Sequence, residues 1–420
     1  MANKNIRSKW GESLVGCLCA ATLSFSASTA MGESLTEQIA DSLKGDWGQI
    51  NFNMRWRWEN VDQDGRGIAN ADTVRLRLGY LTPKFYDFQA FAEFEGNTWL
   101  FVEHYNSTIN GKTQYPVVAD PQRSEINQGW LTYSGLPGTV IKAGRQRIIY
   151  DNHRWIGNVV WRQMEQTYDS VSLVNQSIGN AELSAAYLWN VRNIVSADLG
   201  ISAPLVHLAY NIADIGKITT YAYLLDFSGN SANALRNSSQ SYGIRFEGVQ
   251  GVASNLKASY TAEYAYQRDY KSNPRRYDTN YVHFFGGLEI PEVAPGIGGL
   301  GAAVGWELLG SSNNVALQTP LATLHAFQGW ADSFLVTPQQ GIQDLYGQVS
   351  ANVFGVKLLA VYHQFDSAVG GLDYGSEIDA LAVKKLADHY TLLLKYANFF
   401  GRDPRFPDTQ KIWVEIDVDF

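Results

Sequence analysis

Ile50-Asn51-Phe52-Asn53-Met54-Arg55-Trp56-Arg57-Trp58 alternates without a fault: every even position is apolar and every odd position polar. A period of two puts one kind of side chain on each face of an extended strand. The next run keeps the pattern, with Val74, Leu76, Leu78 and Tyr80 against Arg75, Arg77 and Gly79. So does Leu256, Ala258, Tyr260, Ala262, Tyr264 and Tyr266 against Lys257, Ser259, Thr261, Glu263 and Gln267. The chain closes on Ile412, Val414, Ile416, Val418 and Phe420, alternating with Trp413, Glu415, Asp417 and Asp419. Working outward gives about 18 runs, centred near residues 54, 77, 91, 129, 144, 170, 186, 208, 221, 245, 262, 284, 305, 348, 360, 380, 394 and 416. The runs near 170 and 348 are weak, and 16 strands is the alternative. The spacing is roughly 21–22 residues per strand and connection, usual for membrane strands of ~10 residues.

The connections sharpen the reading. Those after even-numbered runs are short: Gly135 to Gly138, Asp214 to Lys217, Gly248 to Ser254, Ala387-Asp388. Those after odd-numbered runs are mostly longer, including Asn97 to Arg123, Asp151 to Glu165 and Ser311 to Gly341. Short turns at one end and long loops at the other describe an outer-membrane barrel: an all-β, antiparallel, up-and-down transmembrane β-barrel with both termini in the periplasm. A soluble β-sandwich also alternates, but with shorter, less regular runs and no such asymmetry. The apolar face here carries Tyr and Trp at strand ends, as interfacial girdles do.

Composition narrows the classes. An apolar share of 45% excludes disorder. Two cysteines in 420 residues exclude a disulfide framework or a Cys-based zinc array. A mean hydropathy of −0.20 argues against a helical membrane bundle. A net charge of −8 argues against a nucleic-acid partner.

Residues 1–32 read as a cleaved secretory signal, leaving 33–420 as one barrel domain. Lys4, Arg7 and Lys9 form the basic region, Leu14 to Phe25 the apolar core, and Ser28 and Ala30 the small residues of a cut after Ala30, with a cut after Gly32 nearly as good. Leu14-Val15-Gly16-Cys17 resembles a lipoprotein site, but the apolar run follows the cysteine instead of preceding it. Both Cys17 and Cys19 leave with the signal, which suits an oxidising compartment. With them go three cations and Glu12, so the mature chain sits near −10.

Most motifs have bland readings. Gly296-Ile297-Gly298-Gly299-Leu300-Gly301 matches the dinucleotide pattern, but Pro291 and Pro295 precede it and a strand-like run follows, so a periplasmic turn is expected and no cofactor. Asp62-Gln63-Asp64-Gly65 lacks the remaining ligands of a calcium loop and reads as a surface turn; no metal is expected. The seven histidines are scattered, and no catalytic residues can be proposed from spacing.

Inward-phase arginines are the stronger signal. Arg55 and Arg57 share a face with Arg75 and Arg77, and a hairpin about residue 66 would set Arg57 opposite Arg75 and Arg55 opposite Arg77. A lipid-facing Arg costs about 2–4 kcal/mol near the bilayer midplane, so these face the lumen. Arg245 is inward by the same phase, and Arg145, Arg147 and Arg162 lie where strands meet a long loop. Read functionally, they form an electropositive constriction that selects anions. The alternative is a lattice in which Glu59, Glu93, Glu95, Glu247 and Glu263 neutralise them.

The sequence also resembles the alginate export family of Gram-negative outer-membrane porins, across essentially the whole mature chain. The resemblance rests on Ala143-Gly144-Arg145-Gln146-Arg147-Ile148, on Arg154-Trp155-Ile156-Gly157-Asn158 through Trp161-Arg162-Gln163, and on Gln166-Thr167-Tyr168-Asp169. It rests too on Thr319 to His325 with Gly329 to Phe334, and on the tail from Lys411 to Phe420, which resembles a barrel-assembly signal ending in an aromatic. It implies a monomeric 18-stranded barrel with a narrow lumen passing a uronate polymer, lined by Arg75 or Arg77, Arg145 and Arg162. The family's long periplasmic closing turn has no counterpart here, leaving the 27 residues from Asn97 to Arg123 as the inward-folding candidate.

The reading is a passive channel, anion-preferring, for alginate-like uronates or small acidic solutes. The expected partners are outer-membrane lipid and lipopolysaccharide, the barrel-assembly machinery through Phe420, and the anionic polysaccharide or solute. The rivals are a nonspecific porin, and a barrel enzyme or a surface scaffold built on loops 97–123 and 311–341.

Overall fold

The computed structural model describes residues 29–229 and 232–420. The expected signal lies outside the described residues except for its last four, which belong to a helix, Thr29–Ser42. Eighteen barrel strands follow, besides three two-residue strands. They are β1 Gly48–Gln63, β2 Ala69–Leu81, β3 Phe88–His104, β4 Arg123–Leu136, β5 Thr139–Gln146 and β6 Thr167–Asn175. Next come β7 Ala181–Arg192, β8 Asp198–Ile212, β9 Gly216–Phe227, β10 Ser239–Ala253, β11 Leu256–Asp269 and β12 Asp278–Ala294. The last are β13 Ile297–Leu309, β14 Ile342–Val353, β15 Val356–Asp366, β16 Asp373–Leu386, β17 Tyr390–Gly401 and β18 Thr409–Asp419. Every expected run centre falls in its own strand, including those near 170 and 348, so 18 replaces 16.

Each strand pairs antiparallel with the next, and β18 returns to β1 with Trp58 opposite Val414, so the sheet closes without an edge. The burial is that of a soluble protein turned inside out. Leu76, Leu78 and Tyr80 are exposed, while Arg75 and Arg77 between them are buried. Exposed Tyr80, Phe88 and Tyr210 ring the short-turn end; Trp189, Tyr242 and Tyr264 ring the loop end. The glycine-rich stretch from Gly296 is a tight turn running into β13, with no helix after it. Asp64 and Gly65 lie in the β1–β2 turn, while Asp62 and Gln63 still belong to β1.

Two expectations fail. Arg55 stands opposite Arg75, Arg57 opposite Thr73 and Arg77 opposite Asn53, so the first hairpin turns about residue 65 and not 66. Alternation could not have caught this, because a two-residue slip keeps every side chain on its face. The second is that 97–123 is the inward-folding candidate: β3 continues to His104, and the connection that remains, 105–122, reaches the lumen at Asp120, which accepts from Gln163 N–H at 2.8 Å. Most of the inward fold is instead made by segments 147–166 and 310–341.

The exterior predicts its own test. Leu76→Arg puts a charge among lipid tails midway along β2 and should cost about 2–4 kcal/mol in reversible unfolding from bilayers. An unchanged stability would mean this face does not meet lipid.

Candidate functional site

The site is the middle of the lumen, where two loops meet the barrel wall. Segment 147–166 crosses it: Trp155 donates its indole N–H to Glu263 on β11 at 2.9 Å, and Arg162 Nη1 reaches Glu59 on β1 at 3.1 Å. Segment 310–341 comes from the other side, its Ala331 N–H bonded to Glu377 on β16 at 2.6 Å. The two segments are stitched together. Ile156 pairs in parallel with Leu321, Gly157 N–H donates to the Leu321 carbonyl at 2.8 Å, and Thr323 N–H donates to the His153 carbonyl at 3.0 Å.

Two glycines permit this. A Cβ on Gly157 would lie 2.5 Å from Thr323 Oγ1 and 2.8 Å from His153 Cβ, so a side chain there would pry the segments apart. Gly144 sits at φ +122°, where a Cβ would overlap the Gly129 carbonyl. Glycine lets β5 lie close to β4 just before Arg145 and Arg147.

Aromatic side chains on the inner wall seat the loops. Trp155 packs against Tyr221 and Tyr281 at ring distances of 5.7 and 5.4 Å, and Phe334 against Phe365 and Phe399 at 4.7 and 5.5 Å. All six are buried, in one apolar cluster that runs from wall to loops.

Every sequence-derived arginine faces a carboxylate. Across the β1–β18 seam, Arg55 Nε lies 3.0 Å from Asp417 and 3.3 Å from Glu415, while Arg57 Nε donates to Glu415 at 2.8 Å. Arg75 shares Asp417 at 3.7 Å and otherwise bonds the neutral Asn53 amide oxygen. Arg77 pairs with Glu95 and lies 3.6 Å from Glu165; Arg147 bridges Glu165 and Glu93. Arg162 joins Glu59, Asp120 at 3.6 Å and Asp332 at 3.0 Å. These six fall into two ion-paired groups: Arg55, Arg57, Arg75 and Arg162, joined through Glu415, Asp417 and Asp120, which lies 4.0 Å from Arg57, and Arg77 with Arg147, joined through Glu165. Arg145, forked onto Asp169 at 2.7 and 2.9 Å, and Arg245, held by Glu247 and Glu263, stand on other stretches of wall. All five acids named as neutralisers are engaged.

Sequence reasoning missed Asp120, Glu165, Asp332, Lys395 and Lys411 as members, because three lie on loops whose path alternation does not describe. Glu415 and Asp417 were legible: closing the barrel places β18 beside β1, and their inward phase was on the page. Burial opposes charge on Glu165, yet Arg77 and Arg147 hold its carboxyl below the ordinary range.

The most densely connected point is His325. Its Nδ1 lies 2.6 Å from Asp332 Oδ1 and its Nε2 lies 2.7 Å from Lys395 Nζ, while its ring stacks on Trp161 at 4.3 Å. A neutral ring fits: it donates through Nδ1 and accepts from lysine at Nε2. Asp332 Oδ2 in turn accepts from Lys411 at 2.7 Å and Arg162 at 3.0 Å. Lys395 also lies over the Trp330 and Trp161 rings at 3.8 and 4.1 Å. This one node therefore pins both loops to β17 and β18.

Burial holds the His325 imidazole well below its ordinary value; Lys395 and Arg162 add to this and Asp332 opposes it. An undocked histidine regains a pKa of about 6.5, so the undocked state binds more protons below that pH and docking weakens as pH falls. One group changes the balance by up to about tenfold per pH unit. Current fluctuations from loop undocking should rise as pH falls below about 6.5, and His325→Gln should reduce that rise. Wild-type traces unchanged to pH 5 would contradict the assignment.

The comparisons agree on the architecture. OccAB2 of Acinetobacter baumannii superposes with a TM-score of 0.68 at 15% identity, covering 90% of this chain and 99% of its own. OpdL of Pseudomonas aeruginosa gives 0.64 at 14%, covering 88% and 98%. OpdK of Pseudomonas aeruginosa, solved with vanillate, gives 0.66 at 10%, again covering 88% and 98%. At these identities the likeness is one of fold. No curated protein matches the chain. The family model described as alginate export matches residues 46–322, well over half of the chain. This chain therefore belongs to the alginate export family, and it is an outer-membrane β-barrel of the porin type.

Proposed function

We propose that this barrel is a passive channel that prefers anions and passes hydroxyl-rich acidic solutes, uronate oligomers or polymers among them. The observation that carries the reading is a local shortage of negative charge on an otherwise balanced wall. Arg55 and Arg75 stand directly opposite one another, an arrangement that costs energy unless an anion is near. With Arg57 they share Glu415 and Asp417, the one further acid, Asp120, lies 4.0 Å from Arg57 and is shared with Arg162, and the buried Arg75 Nε and Arg57 Nη1 have no hydrogen-bond partner. A carboxylate arriving in the lumen meets guanidinium forks that already hold carboxylates, so it can exchange hydration for one pairing after another. The vanillate in OpdK is itself a carboxylate, which favours small acids as permeants alongside polymers. The barrel is taken to work as a monomer in lipid and lipopolysaccharide, with Phe420 as its assembly signal.

The alternative is a nonspecific porin for small hydrophilic solutes. What favours it is that all eight inward arginines have a carboxylate in ion-pair range. The two readings part on substitution. Arg55→Gln with Arg75→Gln should weaken block by a soluble oligouronate about tenfold and move the reversal potential toward cations. Block and ion preference unchanged from wild type would leave the cluster a structural lattice and the nonspecific porin as the answer.

A further inference from the structure

A second basic site lies above the lumen, at the loop end, and it differs from the wall in having no acid in its lining. A cavity of about 740 Å³ is lined by parts of 147–166, 233–237, 270–277 and 310–341. Arg154, Arg236 and Arg275 line it, and among the described residues no Asp or Glu does. The inward arginines are all paired, but no described carboxylate lies within ion-pair range of Arg236 or Arg275. Arg275 leaves its Nε buried without a partner, and burial together with the neighbouring Arg236 pushes its guanidinium below the ordinary value.

Arg154 forms the floor. It is fully buried, stacked 4.5 Å over the Phe327 ring, with its Nε 2.8 Å from Glu307 on β13. Its Nη1 and Nη2 have no hydrogen-bond partner. A buried guanidinium left with free donors is costly, and it is most readily satisfied by an anion arriving edge-on. The remaining lining is rich in amides, among them Asn237, Gln318 and Gln339, which suit hydroxyl groups. The volume falls in the range of roughly 300–1,000 Å³ that encloses a ligand of a few rings.

We infer that this vestibule is a binding site for a short acidic oligosaccharide, with one carboxylate on Arg154 and a second on Arg236 and Arg275. The inference rests on the proposed preference for acidic solutes and adds to it a station separate from the Arg55–Arg75 wall. Trigalacturonate titrated into the purified full-length barrel in detergent tests it, with neutral maltotriose as the control. Arg236 is exposed and Arg275 half-buried, so Arg236→Gln with Arg275→Gln should fold normally, and it should weaken trigalacturonate binding about tenfold or more. Arg154→Gln should do the same, with thermal unfolding as the check on its fold. Ion preference measured on the Arg236/Arg275 double variant should remain that of wild type.

Trigalacturonate binding of equal strength in wild type and the double variant, with anion preference intact, would overturn the vestibule and leave the channel reading standing. Equal binding of maltotriose would also overturn it, since the site would then not recognise charge. A wild-type barrel with no anion preference and no trigalacturonate binding would overturn both readings together.

Discussion

The structure depends on where the arginines of the first hairpin can go. In hydrocarbon a guanidinium is expensive, so a strand that alternates Arg with Trp and Leu has one workable orientation, charge inward. Inside the barrel, crowded by two loops, the same guanidiniums still need counter-charges. Barrel closure supplies them by setting Glu415 and Asp417 of the last strand beside Arg57 and Arg55 of the first. Opposite charges directly across a strand pair stabilise that pairing. The ion pairs thus join the two ends of the chain as well as lining the lumen.

The loops extend this lattice. Segments 147–166 and 310–341 contribute Arg162, Glu165 and Asp332, each of which pairs with a wall residue. Buried ion pairs are weak net stabilisers, but removing one partner strands the other at a cost of about 3–5 kcal/mol. The loops are therefore held in register by charge and held down by aromatic packing, with Trp155 and Phe334 in wall pockets. Loop position and lumen charge become one property: a change that frees a loop also uncovers charge.

How much of this was legible follows from what alternation encodes. It fixes faces, so the inward phase of Arg55, Arg75 and Arg245 could be read, and so could the outward Leu76 and Tyr80. It does not encode register, which is why the Arg55–Arg75 opposition appeared only in the structure. It says nothing of loop paths either. The stretch from Asn97 to Arg123 looked like the inward fold, but eight of its residues prolong β3 and Arg123 opens β4. The inner-wall aromatics Tyr221, Tyr281 and Phe365 were hidden for a related reason. They break the polar phase locally, and only the loop that covers them explains why. Gly144 and Gly157 lay in motifs that marked family membership, yet their role is steric and depends on how the loops and strands pack.

The central claim is that the unevenly balanced arginine wall governs which charge crosses the barrel. The most direct measurement is the reversal potential of single wild-type channels in a planar bilayer across a potassium chloride gradient. The account predicts a potential displaced toward the chloride equilibrium value, with the displacement shrinking at high salt as the wall is screened. A potential at zero, or displaced toward potassium, would contradict it.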